Sequence, residues 1–158
     1  MPCWPRLPAA PDAVRQLVNI TTPMLPALPA GGAGVVAVGT DLLDAARIEQ
    51  AVARHGERFV ARILTPAEHL LYRQRAQPLN FLAKQFAAKE ALAKALGTGI
   101  AQGVGFQQLE ILRDGAGAPQ VQLYGVALQR LQQLGAQQAL VSLSDEGALI
   151  LAFALLSR

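Results

Sequence analysis

Seven of the ten prolines in this 158-residue chain (Pro2, Pro5, Pro8, Pro11, Pro23, Pro26 and Pro29) fall within residues 1–34. That partition constrains the fold more than any other feature. Proline removes a backbone donor and fixes φ, so this density blocks both helix interiors and sheet ladders. Residues 1–34 also hold only three charged groups, Arg6, Asp12 and Arg15. The expectation is an N-terminal extension, disordered or extended, or a start assigned too far upstream, followed by one domain over residues 35–158. The extension lacks a basic n-region followed by a clean apolar h-region, which argues against a secretory signal. Having no serine and little arginine, it supports a transit peptide poorly.

Composition excludes several classes. At 52% hydrophobic and 16% charged, the chain has ample apolar surface to bury. It has no uncharged apolar run of about 18 residues, so no membrane span is expected. One cysteine, Cys3, excludes a disulfide scaffold and a cysteine metal site, and a reducing cytoplasm is the default compartment. A net charge of +3 and 5% aromatic residues do not describe a nucleic-acid binder.

From Val35 the pattern is regular. Val35–Val38 reads as a short strand ending at Gly39-Thr40-Asp41. Asp44 to Leu64 reads as one amphipathic helix with Ile48, Val52, Phe59 and Ile63 on one side. Thr65-Pro66-Ala67-Glu68 is a capping box opening a second helix to Arg75. Leu79–Leu96 is a third, alanine-rich helix closed by Gly97. Leu109–Leu112 and Val121–Tyr124 flank a hairpin turn at Asp114-Gly115-Ala116-Gly117, Val126–Leu134 is a short helix, and Ala139–Leu143 and Ala148–Leu156 are closing strands. The order is β-ααα-ββ-α-ββ, an α+β domain with a small mixed or antiparallel sheet packed on helices.

Several residues could carry chemistry. Glu90 and Lys94 share one face of the third helix with Ala83 and Ala87, whose small side chains leave room for a close approach. The same spacing also describes a surface ion pair. Asp41, at a strand end, is either a cap or turn residue or a ligand for a hard cation. Magnesium takes one or two carboxylates with phosphate oxygens and water, a number that Asp41 and Glu90 supply. Gly97-Thr98-Gly99 either presents N–H groups to an anion or caps the helix. Arg47, Arg54 and Arg58 fall within about 20° of one line at 100° per residue, a basic stripe that is a solvated face or docks an acidic surface. His55 and His69 have no partner at metal spacing, and Asp145 reads as a hairpin-turn residue.

Together these pieces resemble one family. Gly39-Thr40-Asp41-Leu42-Leu43-Asp44-Ala45-Ala46-Arg47-Ile48 resembles the opening motif G-x-D-(I/L)-x-(E/D)-x-x-R-(I/L) of holo-acyl-carrier-protein synthases. Phe86-Ala87-Ala88-Lys89-Glu90-Ala91-Leu92-Ala93-Lys94-Ala95-Leu96-Gly97-Thr98-Gly99 resembles their second motif, F-A-x-K-E-A-x-x-K-A-x-G-T-G. Ser142-Leu143-Ser144-Asp145 resembles their S-(I/L)-S-(H/D) segment. The resemblance implies the 4'-phosphopantetheinyl transferase fold. It also implies transfer of 4'-phosphopantetheine from coenzyme A to a serine of apo-acyl carrier protein in fatty acid biosynthesis. Adenosine 3',5'-bisphosphate is the other product. By the same resemblance Asp41 and Glu90 hold magnesium, and Lys94 contacts the diphosphate. Arg47, Arg54 and Arg58 dock the acidic carrier, and the assembly is a homotrimer with sites between subunits. Gly97, Gly99, Lys84 and Asp145 are further candidates for coenzyme A. Two departures stand out. Asp145 occupies a position often held by histidine, and Gln85 replaces a frequent arginine, which either weakens coenzyme A binding or leaves Lys84 as its substitute. The alternatives are a transferase for polyketide or peptide synthase carriers and a non-catalytic carrier-binding module.

Overall fold

The computed structural model describes residues 34–158. The expectation for the extension lies outside them apart from Gly34, whose carbonyl accepts from the Arg158 amide at 3.1 Å.

Strand β1 (Val35–Asp44) runs into helix α1 (Ala45–His55), then α2 (Glu57–Ile63), α3 (Pro66–Gln74) and the long α4 (Pro78–Ala95). A 3₁₀ turn at Phe106–Gln108 leads to β2 (Leu109–Arg113) and β3 (Pro119–Leu123), then α5 (Gly125–Gln133), β4 (Gln138–Glu146) and β5 (Leu149–Ser157). The strands form an antiparallel three-stranded sheet in the order β1-β5-β4 and a separate β2-β3 hairpin. The α+β reading holds, with two corrections to its elements.

The first correction is that β1 does not end at Val38. It continues six residues further because the stretch through Leu43 pairs residue by residue with β5, Asp41 opposite Ala152 and Leu43 opposite Ile150. Gly39 looked like a terminator, but it is a point of contact. A Cβ there would lie 2.5 Å from the Ala95 nitrogen and still closer to the Ala91 carbonyl oxygen, so only glycine lets β1 come this near α4. The second correction concerns the first helix, which is two helices. Gly56, at φ 59° and ψ −145°, closes α1 through its N–H to the Val52 carbonyl (2.7 Å) and turns the chain into α2. The order is therefore β-αααα-ββ-α-ββ.

The sheet has two unlike faces, because successive side chains alternate along a strand. Leu43, Val141, Ile150, Ala152, Ala154 and Leu156 are buried beneath α4. Along α4 itself Ala83, Ala87, Ala91 and Ala95 are buried. The room left by these small residues is filled by the sheet, with Gly39 at the closest point. The opposite face exposes Val38, Leu42, Leu140, Leu149, Leu151 and Phe153. No helix among the described residues is long and apolar enough to cross a membrane.

Candidate active site between the edge strand and the long helix

Because Asp41 faces the same side of β1 as Gly39 and Leu43, it points toward α4, where Glu90 and Lys94 lie one turn apart. Lys94 Nζ donates to Asp41 Oδ1 at 2.7 Å and to the Thr40 carbonyl at 3.0 Å. The Asp41 side chain is 15% exposed and that of Lys94 49%, so a nearly enclosed carboxylate meets a solvent-side ammonium. Half-buried Glu90 is held above the ordinary carboxylate range, first by burial and then by the negative charge of Asp41, with Lys94 opposing. Two carboxylates and one ammonium thus share a small region, and the three residues singled out in the sequence come together.

Lys84 and Asp145 form a second group. Lys84 Nζ reaches Asp145 Oδ1 at 2.9 Å, joining α4 to the end of β4. β1 and β4 are opposite edges of the sheet, so this pair sits across the molecule's sheet from Asp41. Arg75 and Arg113 line the small cavity beside Lys84. Gln85 turns inward, donating from Nε2 to the Ile111 carbonyl at 2.7 Å, and is a tie between α4 and β2.

Of the two readings of Gly97-Thr98-Gly99, the geometry matches the cap. Gly97 N–H goes to the Lys94 carbonyl (3.0 Å), and the Thr98 and Gly99 N–H groups go to that of Ala93 (3.2 and 3.0 Å).

The arginine stripe spans two helices rather than one. Arg47 and Arg54 are on α1 and Arg58 on α2. Arg54, Arg58 and Arg62 line a shallow depression of about 580 Å³ together with His55 and Phe59, and Arg47 lies outside its lining.

The second motif also carries a structural residue. Lys89 is fully buried and donates to Glu68 Oε2 (2.6 Å), the Ile63 carbonyl (2.7 Å) and the Phe106 carbonyl (3.0 Å). Glu68 also accepts from the Thr65 and Ile111 amides, each at 2.8 Å. Burial lowers the Lys89 pKa and raises that of Glu68, and each partner's charge opposes the shift. The signal was present: Lys89 follows Leu82 by seven residues and precedes Leu92 and Leu96 by three and seven, on the helix's apolar stripe.

Residues 37–154 match the model of the 4'-phosphopantetheinyl transferase superfamily. The chain is 48% identical over 124 residues to the holo-[acyl-carrier-protein] synthase of Photorhabdus laumondii, covering 78% of this chain and 98% of that protein. This chain belongs to the holo-[acyl-carrier-protein] synthase family. Solved structures agree. The holo-[acyl-carrier-protein] synthase of Neisseria meningitidis superposes with a TM-score of 0.73 at 41% identity, covering 79% of this chain and all of that one. The Helicobacter pylori holo-[acyl-carrier-protein] synthase, solved with coenzyme A, superposes with a TM-score of 0.66 at 28% identity, covering 75% of this chain and 98% of that one. Asp41, Glu90 and Lys94 all fall inside the segment that matches the superfamily model.

Proposed function

We propose that this chain transfers the 4'-phosphopantetheine group of coenzyme A to a serine of an apo-acyl carrier protein. The serine oxygen forms a new bond to phosphorus, the phosphorus–oxygen bond to adenosine 3',5'-bisphosphate breaks, and the serine gives up its proton. The observation that carries this reading is the Asp41–Glu90–Lys94 group, held across β1 and α4 in a member of the holo-[acyl-carrier-protein] synthase family.

The acid pair fits magnesium. Its donors are hard carboxylate oxygens, and Glu90 is pushed up first by burial and then by the charge of Asp41, a repulsion that a shared cation relieves. Asp41 and Glu90 would hold the ion, which supplies charge neutralisation at the diphosphate when bound. Lys94 contacts the diphosphate and offsets charge growing on the leaving phosphate. Lys84 and Asp145 serve the nucleotide end of coenzyme A, while Gly97 and Gly99 shape the turn beside it. The nucleophile belongs to the carrier, so this chain positions and neutralises. Arg47, Arg54 and Arg58 draw the acidic carrier to α1 and α2, with Arg62 joining Arg54 and Arg58 in the depression.

A homotrimer completes the site. Six large apolar side chains on the outer sheet face call for cover. The Lys84–Asp145 and Asp41–Glu90 pairs stand at opposite edges of one copy's sheet, so a neighbouring copy would bring its own pair to a shared cleft. The reaction belongs in the cytoplasm, on the carrier of fatty acid synthesis.

The decisive measurement is the intact mass of apo-acyl carrier protein after incubation with this chain, coenzyme A and magnesium. A gain of one phosphopantetheine that a chelator abolishes is the expected result. An unchanged mass with a folded chain that still binds the carrier would replace the transferase by a carrier-binding module.

A further inference from the structure

The positive charge at the Asp41–Glu90 pair is the protein's own. Lys94 bridges a carboxylate oxygen of Asp41 and the backbone oxygen of Thr40, at 2.7 and 3.0 Å. Both are the hard oxygens that a divalent cation prefers. The carboxylate is nearly enclosed, whereas the ammonium rides on a half-exposed, four-carbon stem with freedom to swing. We infer that Lys94 is an internal counter-ion which a divalent cation displaces from Asp41, and that a diphosphate substrate drives the exchange by offering the ammonium new oxygens. The inference rests on the metal reading above and adds a regulation of that site. Metal and diphosphate then assist one another, since a coupling between two ligands acts on each affinity by the same factor. The free protein, with its carboxylate already occupied, takes up divalent ions poorly.

The test is Mn²⁺ binding, followed by the electron paramagnetic resonance signal of free Mn²⁺ and corrected for Mn²⁺ held by coenzyme A in buffer. Lys94→Met leaves the core untouched because Lys94 is exposed. Without coenzyme A it is expected to bind Mn²⁺ about tenfold more tightly than the unmodified chain, within the usual range of such couplings. Its further gain on adding coenzyme A is expected to be the smaller of the two. Arg130→Gln separates displacement from a general change of field. Arg130 donates to the Leu96 carbonyl at 3.0 Å, close to Lys94 along the chain, and its other side-chain partner is Gln133 rather than Asp41. Its removal is expected to change Mn²⁺ affinity by less than about twofold. Equal tightening by both variants, or none in Lys94→Met, overturns the displacement. The metal reading survives that outcome if Asp41→Asn still abolishes Mn²⁺ binding. Absence of Mn²⁺ binding in every variant, with or without coenzyme A, overturns the metal reading and this inference with it.

Discussion

At Gly39 a single hydrogen decides how closely β1 approaches α4. The Cβ of Gly39→Ala would press on backbone atoms of Ala91 and Ala95, which cannot swing aside as a flexible side chain would. The expected cost is about 1–3 kcal/mol of stability, read from denaturant midpoints. Turnover should fall further than the folded fraction, because Asp41 lies two residues along the displaced strand. Asp41→Ala and Glu90→Ala should each remove magnesium-dependent turnover while leaving the melting temperature near that of the unmodified chain; normal activity in either would remove that residue from the site. Lys89→Met should behave in the opposite way. It strands the buried charge of Glu68, at a cost of about 3–5 kcal/mol, so the fold suffers first. Asp41, Glu90 and Lys94 were legible in the sequence because a motif names them. Lys89 was not, because a lysine beside a glutamate on a helix reads as solvated surface until its place on the apolar stripe is counted.

At the scale of elements, Gly56 does the work that periodicity concealed. Apolar spacing runs through residues 44–64 without a visible fault, yet φ of +59° at residue 56 ends one helix and starts another. The consequence is chemical, since Arg54 and Arg58 meet in one depression by way of a bend. Arg54→Glu and Arg58→Glu should therefore raise the KM for carrier protein more than that for coenzyme A, and Arg47→Glu should do so less than either. Equal effects on both substrates would remove α1 and α2 from the docking surface. The β2-β3 hairpin offers a test by pH. Asp114 Oδ1 accepts from the Ala116 and Ala118 amides, each at 2.9 Å, and the backbone bond to Ala118 leads the causes that hold its pKa below the usual 3.8. A depressed folded pKa gives stability that is present above the unfolded value and lost as pH falls through the folded one. The melting temperature of Asp114→Ala should lie below that of the unmodified chain at pH 7, and the gap should close as pH drops below 3.8. This turn was readable from Asp114-Gly115-Ala116-Gly117 alone, because its bonds are local. The length of β1 was not, because only pairing with β5, more than a hundred residues later, keeps that stretch extended.

For the whole molecule, the proposed trimer can be tested at the outer sheet face. Leu151→Glu places a charge among Leu42, Leu149 and Phe153, and should yield monomers by analytical ultracentrifugation, with turnover lost alongside; trimers that persist would move the interface elsewhere. Mixing tests whether the site is shared. In the proposed site, Asp41→Ala chains would lack the metal pair, and Lys84→Ala chains should hold coenzyme A poorly. Refolding the two together should restore clefts with the unmodified KM for coenzyme A; no recovery would place the whole site within one copy. The helix that carries both groups, α4, is 18 residues long, about 27 Å, and brings Glu90 and Lys94 to one edge of the sheet and Lys84 to the other. In the proposed ring of three, each such helix would serve two clefts. If the proposed trimer shares its clefts in this way, a copy whose α4 is damaged would silence two of the three, and in mixed assemblies output would fall faster than the share of sound chains.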